Sequence, residues 1–320
     1  MINLLFDTVN ANLIAFLGIA TAFILTCFCL SRLTRLLPTD KGREFAHDGS
    51  LSAGKPRGAG FLFILVFILS GLLFGHIDRE SFIYLLLVLA AMMTGFLDDC
   101  SKTSWGELKK GLLDFVIATM AAITFLNFNS NSIYIAFLDK TFVIHPLVFA
   151  LLIIILVWTS INVTNCADGV DGLSGTLTIT SLMTIYIINT IQTIAPNFSY
   201  LILIFCVCIL GYLWYNAAPS KLMMGDAGSR AMGLFIALAI LKTGSPLLYI
   251  PVALVLILDG GLGLLKVSLL RFFKIHILKN VRTPLHDQVR KVWGWSNTQT
   301  VFRFAIIQIG FSVAVIYLLF

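Results

Sequence analysis

Five aspartates stand at the ends of long apolar runs: Asp98 and Asp99 in GFLDDC, Asp168 and Asp171 in NVTNCADGVDG, and Asp226 in MGDAGS. Carboxylates are hard oxygen donors, and such donors at the edge of an apolar medium suit a divalent cation shared with phosphate oxygens. The chemistry this implies is phosphoryl transfer at a membrane surface, where a metal and cationic side chains neutralise oxygens whose charge shifts as bonds change. Asp98 and Asp99 close a run read as a helix, whose C-terminal end carries a partial negative charge that disfavours carboxylates. A positive partner must lie nearby, and Lys102, Lys109, Lys110 or a metal are the candidates.

Asn162, Asn165, Asp168 and Asp171 recur every three residues. That spacing brings successive members together on one slowly rotating face if the helix carrying them continues. Gly169 and Gly172 among them let backbone approach a ligand closely. Met224-Gly225-Asp226-Ala227-Gly228-Ser229 opens a further apolar run, where backbone N–H groups at a helix start face anions in a field favourable to phosphate. Asp226 beside such an anion makes chemical sense as a cation ligand. Lys55, in GKPRGAG, is placed to reach a diphosphate, although the spacing is not that of a Walker loop. RTPLHDQVRK forms the last polar strip, ahead of Trp293-Gly294-Trp295. His47, His76, His145 and His276 have no second His or acid at metal-binding spacing and read as interfacial residues.

The elements that position these residues belong to a bilayer. Hydrophobic residues make up 58% of the chain and charged residues 12%, with a mean hydropathy of +0.95; that excess excludes a water-soluble fold. The chain reads as an all-α polytopic membrane protein, a single integral membrane domain over residues 1–320. It has ten spans at roughly 9–30, 58–76, 80–97, 111–127, 146–164, 175–193, 198–217, 230–243, 248–271 and 302–320. Gly260, Gly261 and Gly263 predict a bend within the ninth span. Partial alternation over 128–145 predicts a small hairpin. No basic segment precedes the first span, which therefore reads as retained. The cysteines, including Cys27/Cys29 and Cys206/Cys208, read as small apolar filler.

Loops 31–57, 98–110, 165–174, 218–229 and 272–301, with their margins and Lys266, hold all of the 22 Lys and Arg except Arg79, Lys140 and Lys242. The asymmetry predicts that this face is cytoplasmic and that both termini lie outside. The net charge of +6 is then topology signal and contact with anionic lipid, and no nucleic-acid partner is called for. Every polar motif described above falls on that face.

GKPRGAG, GFLDDCSK, NVTNCADGVDGL, NAAPSKLMMGDAGS and PLHDQVRK, in this order on one face of ten spans, resemble the polyprenyl-phosphate N-acetylhexosamine-1-phosphate transferases. Over about residues 31–303 the GKP opening, the NxxNxxDGxDGL loop and the WGWS segment are most similar to the phospho-N-acetylmuramoyl-pentapeptide transferase branch. The resemblance implies a bacterial inner-membrane enzyme of peptidoglycan synthesis, and with it a part in cell shape and division. In the implied reaction undecaprenyl phosphate attacks the β-phosphate of UDP-N-acetylmuramoyl-pentapeptide, giving the lipid diphosphate sugar known as lipid I and UMP. The resemblance implies Mg²⁺ held by Asp226, with Asp98 and Asp99 handling the attacking phosphate, one of them as base. Asn165, Asp168, Gly169 and Asp171 would line the nucleotide side, with Lys55 near the uridine or the diphosphate. Asn162, Asn216, Lys102 and His286 match further active-site positions, and Met223 stands where a phenylalanine commonly stacks on uracil. A second copy of the chain, as a homodimer, is a candidate partner.

Besides Met223, the chain departs from that pattern in two places. Three consecutive histidines of the last loop become His286, Asp287 and Gln288, and Ile117 stands near a usual lysine of the fourth span, leaving Lys109 or Lys110 to substitute. Asp259 matches an acidic position of the ninth span. It lies about 18 Å along the helix from Arg271 and needs a partner or a water-filled cavity. A phosphate nucleophile is largely ionised near neutral pH, its second pKa being about 6, so positioning outranks proton abstraction as the role of Asp98. Two other readings compete: a sister enzyme using UDP-N-acetylglucosamine, for which Arg290 speaks, and a secondary transporter, suggested by Asp259, Lys266 and the glycine-interrupted ninth span. The acids gather at helix ends and not at the midplane, which favours an enzyme.

Overall fold

The computed structural model describes residues 10–40, 42 and 52–319. Lys41, Arg43, His47 and the first nine residues lie outside them. The helices are α1 (Ala11–Arg32), α2 (Gly60–Phe74), α3 (Arg79–Cys100), α4 (Glu107–Phe128), α5 (Pro146–Cys166), α6 (Leu173–Ile191), α7 (Pro196–Asn216), α8 (Gly225–Leu241), α9 (Pro246–Val252), α10 (Leu254–Phe273), α11 (Leu285–Lys291) and α12 (Asn297–Leu318).

All ten predicted spans are helical. Among the described residues, seven helices are long and apolar enough to cross a bilayer, and α9 with α10 form an eighth as a bent pair. The other two, α2 and α8, have 15 and 17 residues. At 1.5 Å per residue they reach roughly 22 and 26 Å, short of a hydrocarbon core about 30 Å thick. The outer helices turn large apolar side chains outward, among them Phe16, Ile24 and Phe28 of α1, Leu151 and Ile155 of α5, and Phe302 and Ile306 of α12. In a bilayer that exposure is solvation by lipid, and the helical backbone leaves no internal N–H or C=O unpaired.

The shortness of α8 fits its position. Every one of its residues is buried, and it packs against α2, α3, α5 and α6. Glycines permit that crowding: a Cβ at Gly60 of α2 would fall 2.0 Å from the backbone nitrogen of Gly228, and one at Gly233 would fall 2.4 Å from the carbonyl oxygen of Ser160 in α5. Small residues at such crossings let backbones touch where no hydrophobic force drives helices together within lipid. α3 and α8 run antiparallel, so Asp98 and Asp99 meet Asp226 at one end, while Lys242 meets Glu80 (2.8 Å) at the other. The hairpin also lies at that second end. β1 (Ser132–Ile135) pairs antiparallel with β2 (Lys140–Val143), and the Tyr134 N–H donates to Gly244 just past α8 (2.9 Å).

The bend of the ninth span is present, but it falls before the glycines. α9 and α10 meet at 72° across Ala253. Gln308 of α12 caps the break: its Nε2 donates to the carbonyls of Pro251 (3.1 Å) and Val252 (2.9 Å), and its Oε1 accepts the Val255 N–H (3.0 Å). Ser181 of α6 also donates to the Val252 carbonyl (2.8 Å). A helix can break at membrane depth where protein groups satisfy the freed backbone in this way. Gly260 serves packing instead, since a Cβ there would stand 2.2 Å from the Val163 carbonyl oxygen.

Candidate active site

Arg57 and Lys110 draw the aspartates of separate loops together. The Arg57 Nε donates to Asp99 (2.9 Å), one terminal nitrogen to Asp40 (3.1 Å) and the other to Asp226 (3.4 Å). Lys110, one turn into α4, bridges Asp98 (2.5 Å) and Asp226 (2.9 Å). The Trp105 N–H donates to the second oxygen of Asp98 (2.6 Å). The carboxylates at the C-terminal end of α3 thus find their positive partners. One is Lys110, already a candidate, and the other is Arg57, two residues beyond the Lys55 that the sequence singled out.

The loop geometry explains why Arg57 arrives there. The Asp40 N–H donates to the Lys55 carbonyl (2.8 Å), and the chain pairs with the approach to α8 through Met223 N–H to Pro56 (2.9 Å), Ala59 N–H to Met223 (3.0 Å) and Gly60 N–H to Met224 (3.0 Å). Burial pulls the Arg57 guanidinium toward losing its proton, but the charges of Asp99 and Asp226 outweigh it and raise its pKa above the ordinary value. For Asp40 burial acts upward, and the Ser52 hydroxyl, the Arg57 guanidinium and the Gly42 N–H together hold the carboxyl below its usual range.

The start of α8 corrects one expectation. Its N–H groups face an anion, as the glycines predict, but the anion is Asp99: the N–H groups of Asp226 and Ala227 each donate to its carboxylate at 3.2 Å. A second expectation also changes. α5 ends at Cys166, so Asn162 through Asp171 do not continue one helical face. The chain turns, and Gly172 enters α6 at φ +84°, a conformation that favours glycine.

The remaining candidates divide into groups. Lys55 donates to the Ser220 hydroxyl (3.0 Å), and Asp171 accepts the Ser220 N–H (3.2 Å), so these two converge on one residue. The buried Asn216 accepts from Gly172 (2.8 Å) and donates to Leu222 (2.9 Å), tying the loop before α6 to the loop before α8. Met223 is half-buried in the segment that bonds Pro56 and Ala59, and Asn165 and Asp168 are half-buried around the end of α5. Asn162 donates to Asp114 (3.4 Å), whose other oxygen is paired with Arg230. Lys102 is exposed in the segment after α3. Ile117 is buried in the apolar core, and Lys110 supplies the cation of that region.

His286 lies buried on Asp259, its N–H at 2.7 Å and its Nδ1 at 2.8 Å from the two carboxylate oxygens. This is the partner that Asp259 needs. The ring rests on Gly169, where a Cβ would be 2.2 Å from Nε2. The two unusual neighbours also have places: Asp287 accepts from Arg290 (3.1 Å) and Lys291 (2.8 Å), and Gln288 accepts the Arg282 N–H (2.8 Å). Arg57, Asp40, Asp114 and Arg230 escaped the sequence reading. Arg230 stands one helical turn after Asp226, and Asp114 interrupts an apolar run, which in a membrane segment is itself a signal.

Oxygen donors of this kind fit magnesium. Asp40, Asp98, Asp99 and Asp226 set four carboxylates against the two cations Arg57 and Lys110, a deficit that one divalent ion would make good. Among the described residues no three His, Cys, Asp or Glu side chains form a ready metal cage. Magnesium is commonly held by one or two carboxylates plus substrate phosphates, so a full cage is not required.

Fold and site together define an integral membrane protein that gathers carboxylates and cationic side chains at one end of its bundle. Residues 81–244 match glycosyl transferase family 4, and the chain belongs to that family. Similarity extends over nearly the whole chain to proteins named phospho-N-acetylmuramoyl-pentapeptide-transferase. That of Treponema pallidum (strain Nichols) is 38% identical, covering 95% of this chain and 89% of its own length. Those of Borrelia garinii subsp. bavariensis and Rubrobacter xylanophilus are 29% and 28% identical, covering 96% and 92% of this chain and 93% and 94% of their own.

Proposed function

We propose that this protein transfers phospho-N-acetylmuramoyl-pentapeptide from UDP-N-acetylmuramoyl-pentapeptide to undecaprenyl phosphate, releasing UMP, in peptidoglycan synthesis. The observation that carries the chemistry is the convergence of Asp98, Asp99 and Asp226 on Arg57 and Lys110. The near full-length similarity to the Treponema protein supports the choice of substrates. The basic asymmetry of the loops supports a cytoplasmic site in a bacterial inner membrane.

In this reading an oxygen of the lipid phosphate bonds to the β-phosphorus as the bond from that phosphorus to the bridging oxygen breaks, and UMP leaves with the bridging oxygen. Magnesium, held by Asp226, would neutralise diphosphate oxygens whose charge rises in the transition state. Lys110 and Arg57, both bonded to Asp226, would supply further positive charge there. The nucleophile is mostly ionised at neutral pH, so Asp98 positions and need not abstract a proton. Lys55 and Asp171, joined through Ser220, would line the nucleotide side with Asn165, Asp168 and Gly169.

The features behind the rival readings are engaged inside the fold. Arg290 is buried and bonds Gly169, Asp287 and Asn297. Asp259 is held by His286, and Lys266 donates to the carbonyls of Leu278 (3.0 Å) and Val281 (2.8 Å). Purified protein given undecaprenyl phosphate and each labelled donor tests the proposal. UMP release from UDP-N-acetylmuramoyl-pentapeptide is expected; release from UDP-N-acetylglucosamine alone would assign the sister activity.

A further inference from the structure

Asp98 and Asp99 are neighbours in sequence but stand in different surroundings. About 100° of rotation separates successive residues of a helix, and here it sends Asp98 toward Lys110 and Asp99 toward the start of α8. The Asp99 side chain is 0% exposed. One of its oxygens accepts from Arg57 Nε (2.9 Å) and the Asp226 N–H (3.2 Å), and the other accepts the Ala227 N–H (3.2 Å). A Cβ at Gly225, held at φ +68°, would lie 2.2 Å from that second oxygen. Backbone of the turn into α8 therefore closes over the carboxylate.

We propose that Asp99 and Arg57 are a positioning pair that aims Asp226, and that Asp99 touches no substrate atom. Asp99 caps α8 from another helix, placing negative charge at the positive end of the helix dipole, and so fixes the residue that follows Gly225. Arg57 locks the cap and reaches across it to one oxygen of Asp226, while Lys110 takes the other. Further along, a Cβ at Gly95 would stand 2.3 Å from the Asp226 carbonyl oxygen, so α3 and α8 already touch and leave the pair no slack. Asp98, itself 4% exposed, bonds instead to the Trp105 N–H and to Lys110, a lysine that is 26% exposed and bridges it to Asp226.

The inference rests on the proposed role of Asp226 in holding magnesium, and the test separates the two. Asp99→Asn and Arg57→Lys are made singly and together and purified in detergent. Groups that orient a metal ligand govern metal affinity, typically by 10- to 100-fold, so each single variant is expected to raise the Mg²⁺ concentration for half-maximal turnover about tenfold. A merely structural defect would lower the yield of folded enzyme and leave that concentration alone. In melting experiments without substrate or metal, residues acting as a unit are non-additive, and the double variant is expected to melt no lower than the worse single one. Arg57→Lys, which keeps the charge and loses the fork, carries the test if Asp99→Asn does not fold. Lost turnover in Asp99→Asn with an unchanged Mg²⁺ requirement would make Asp99 a reacting group and overturn the proposal, as would additive melting shifts. Absence of turnover in the unmodified protein would sink the functional reading alone, because the melting cycle decides the pairing independently.

Discussion

Arg57 shares one guanidinium among Asp40, Asp99 and Asp226, a division that a planar fork of five donors allows and a lysine does not. Its bond to Asp40 has a pH signature. A carboxyl depressed on folding contributes stability above its unfolded pKa of about 3.9, and that contribution is lost as pH falls through the lower folded value. The melting gap between the unmodified protein and Asp40→Asn should hold steady from about pH 7 to about pH 5 and close below about pH 4. A gap that persists unchanged into stronger acid would show that the carboxylate is not the source. For Asp226→Asn and Asp98→Asn we expect turnover to fall at least about 10²-fold, since preorganised charge carries the rate, with normal insertion into the membrane. Near-normal turnover in either purified variant would remove that residue from the site. The aspartates were legible because acids at the ends of apolar runs are conspicuous. Arg57 was not, because a basic residue in an inner loop also serves topology and nothing local distinguishes the two uses.

At the scale of elements, the break between α9 and α10 depends on a residue far away in the chain. Gln308 satisfies the carbonyls of Pro251 and Val252 and the N–H of Val255, and it is wholly buried. Each buried polar group left without a partner costs about 1–3 kcal/mol. Gln308→Leu should therefore lower the melting temperature clearly, whereas a swap at the lipid-facing Ile306 of the same helix should leave it nearly unchanged. Equal effects would mean that Gln308 does not support the bend. Composition alone placed the ten helical segments, because in hydrocarbon the helix is the economical way to pair every backbone group. It also gave the bend of the ninth span, but not its position at Ala253, because glycine serves both flexibility and close packing, and Gly260 is used for packing against Val163. The turn after α5 was hidden for a similar reason. A three-residue repeat fits a helix and a succession of turns equally well until Gly172 adopts positive φ.

At the scale of the whole molecule, the antiparallel pair α3 and α8 carries one ionic group at each end, Asp98, Asp99 and Asp226 at one and Glu80 with Lys242 at the other. Of the two, α3 also turns Phe82, Leu86 and Leu97 outward, while the buried α8 sets the depth at which the acids meet the loops. This arrangement could be inferred from order and charge of the loops, whereas the pairings across it depend on contacts between residues more than a hundred positions apart. Removal of divalent ions with EDTA should stop the reaction and added Mg²⁺ should restore it; turnover that resists the chelator would take the metal out of the scheme.

The central claim is that the acids of separate loops form one magnesium and diphosphate site. The position of Mn²⁺, a visible substitute for Mg²⁺, in a structure of the protein with the UDP-sugar bound tests it most directly. The expected result is an ion ligated by Asp226 and the donor's diphosphate, with Asp98 and Lys110 alongside. An ion seated elsewhere, or a diphosphate remote from Arg57 and Lys110, would contradict it.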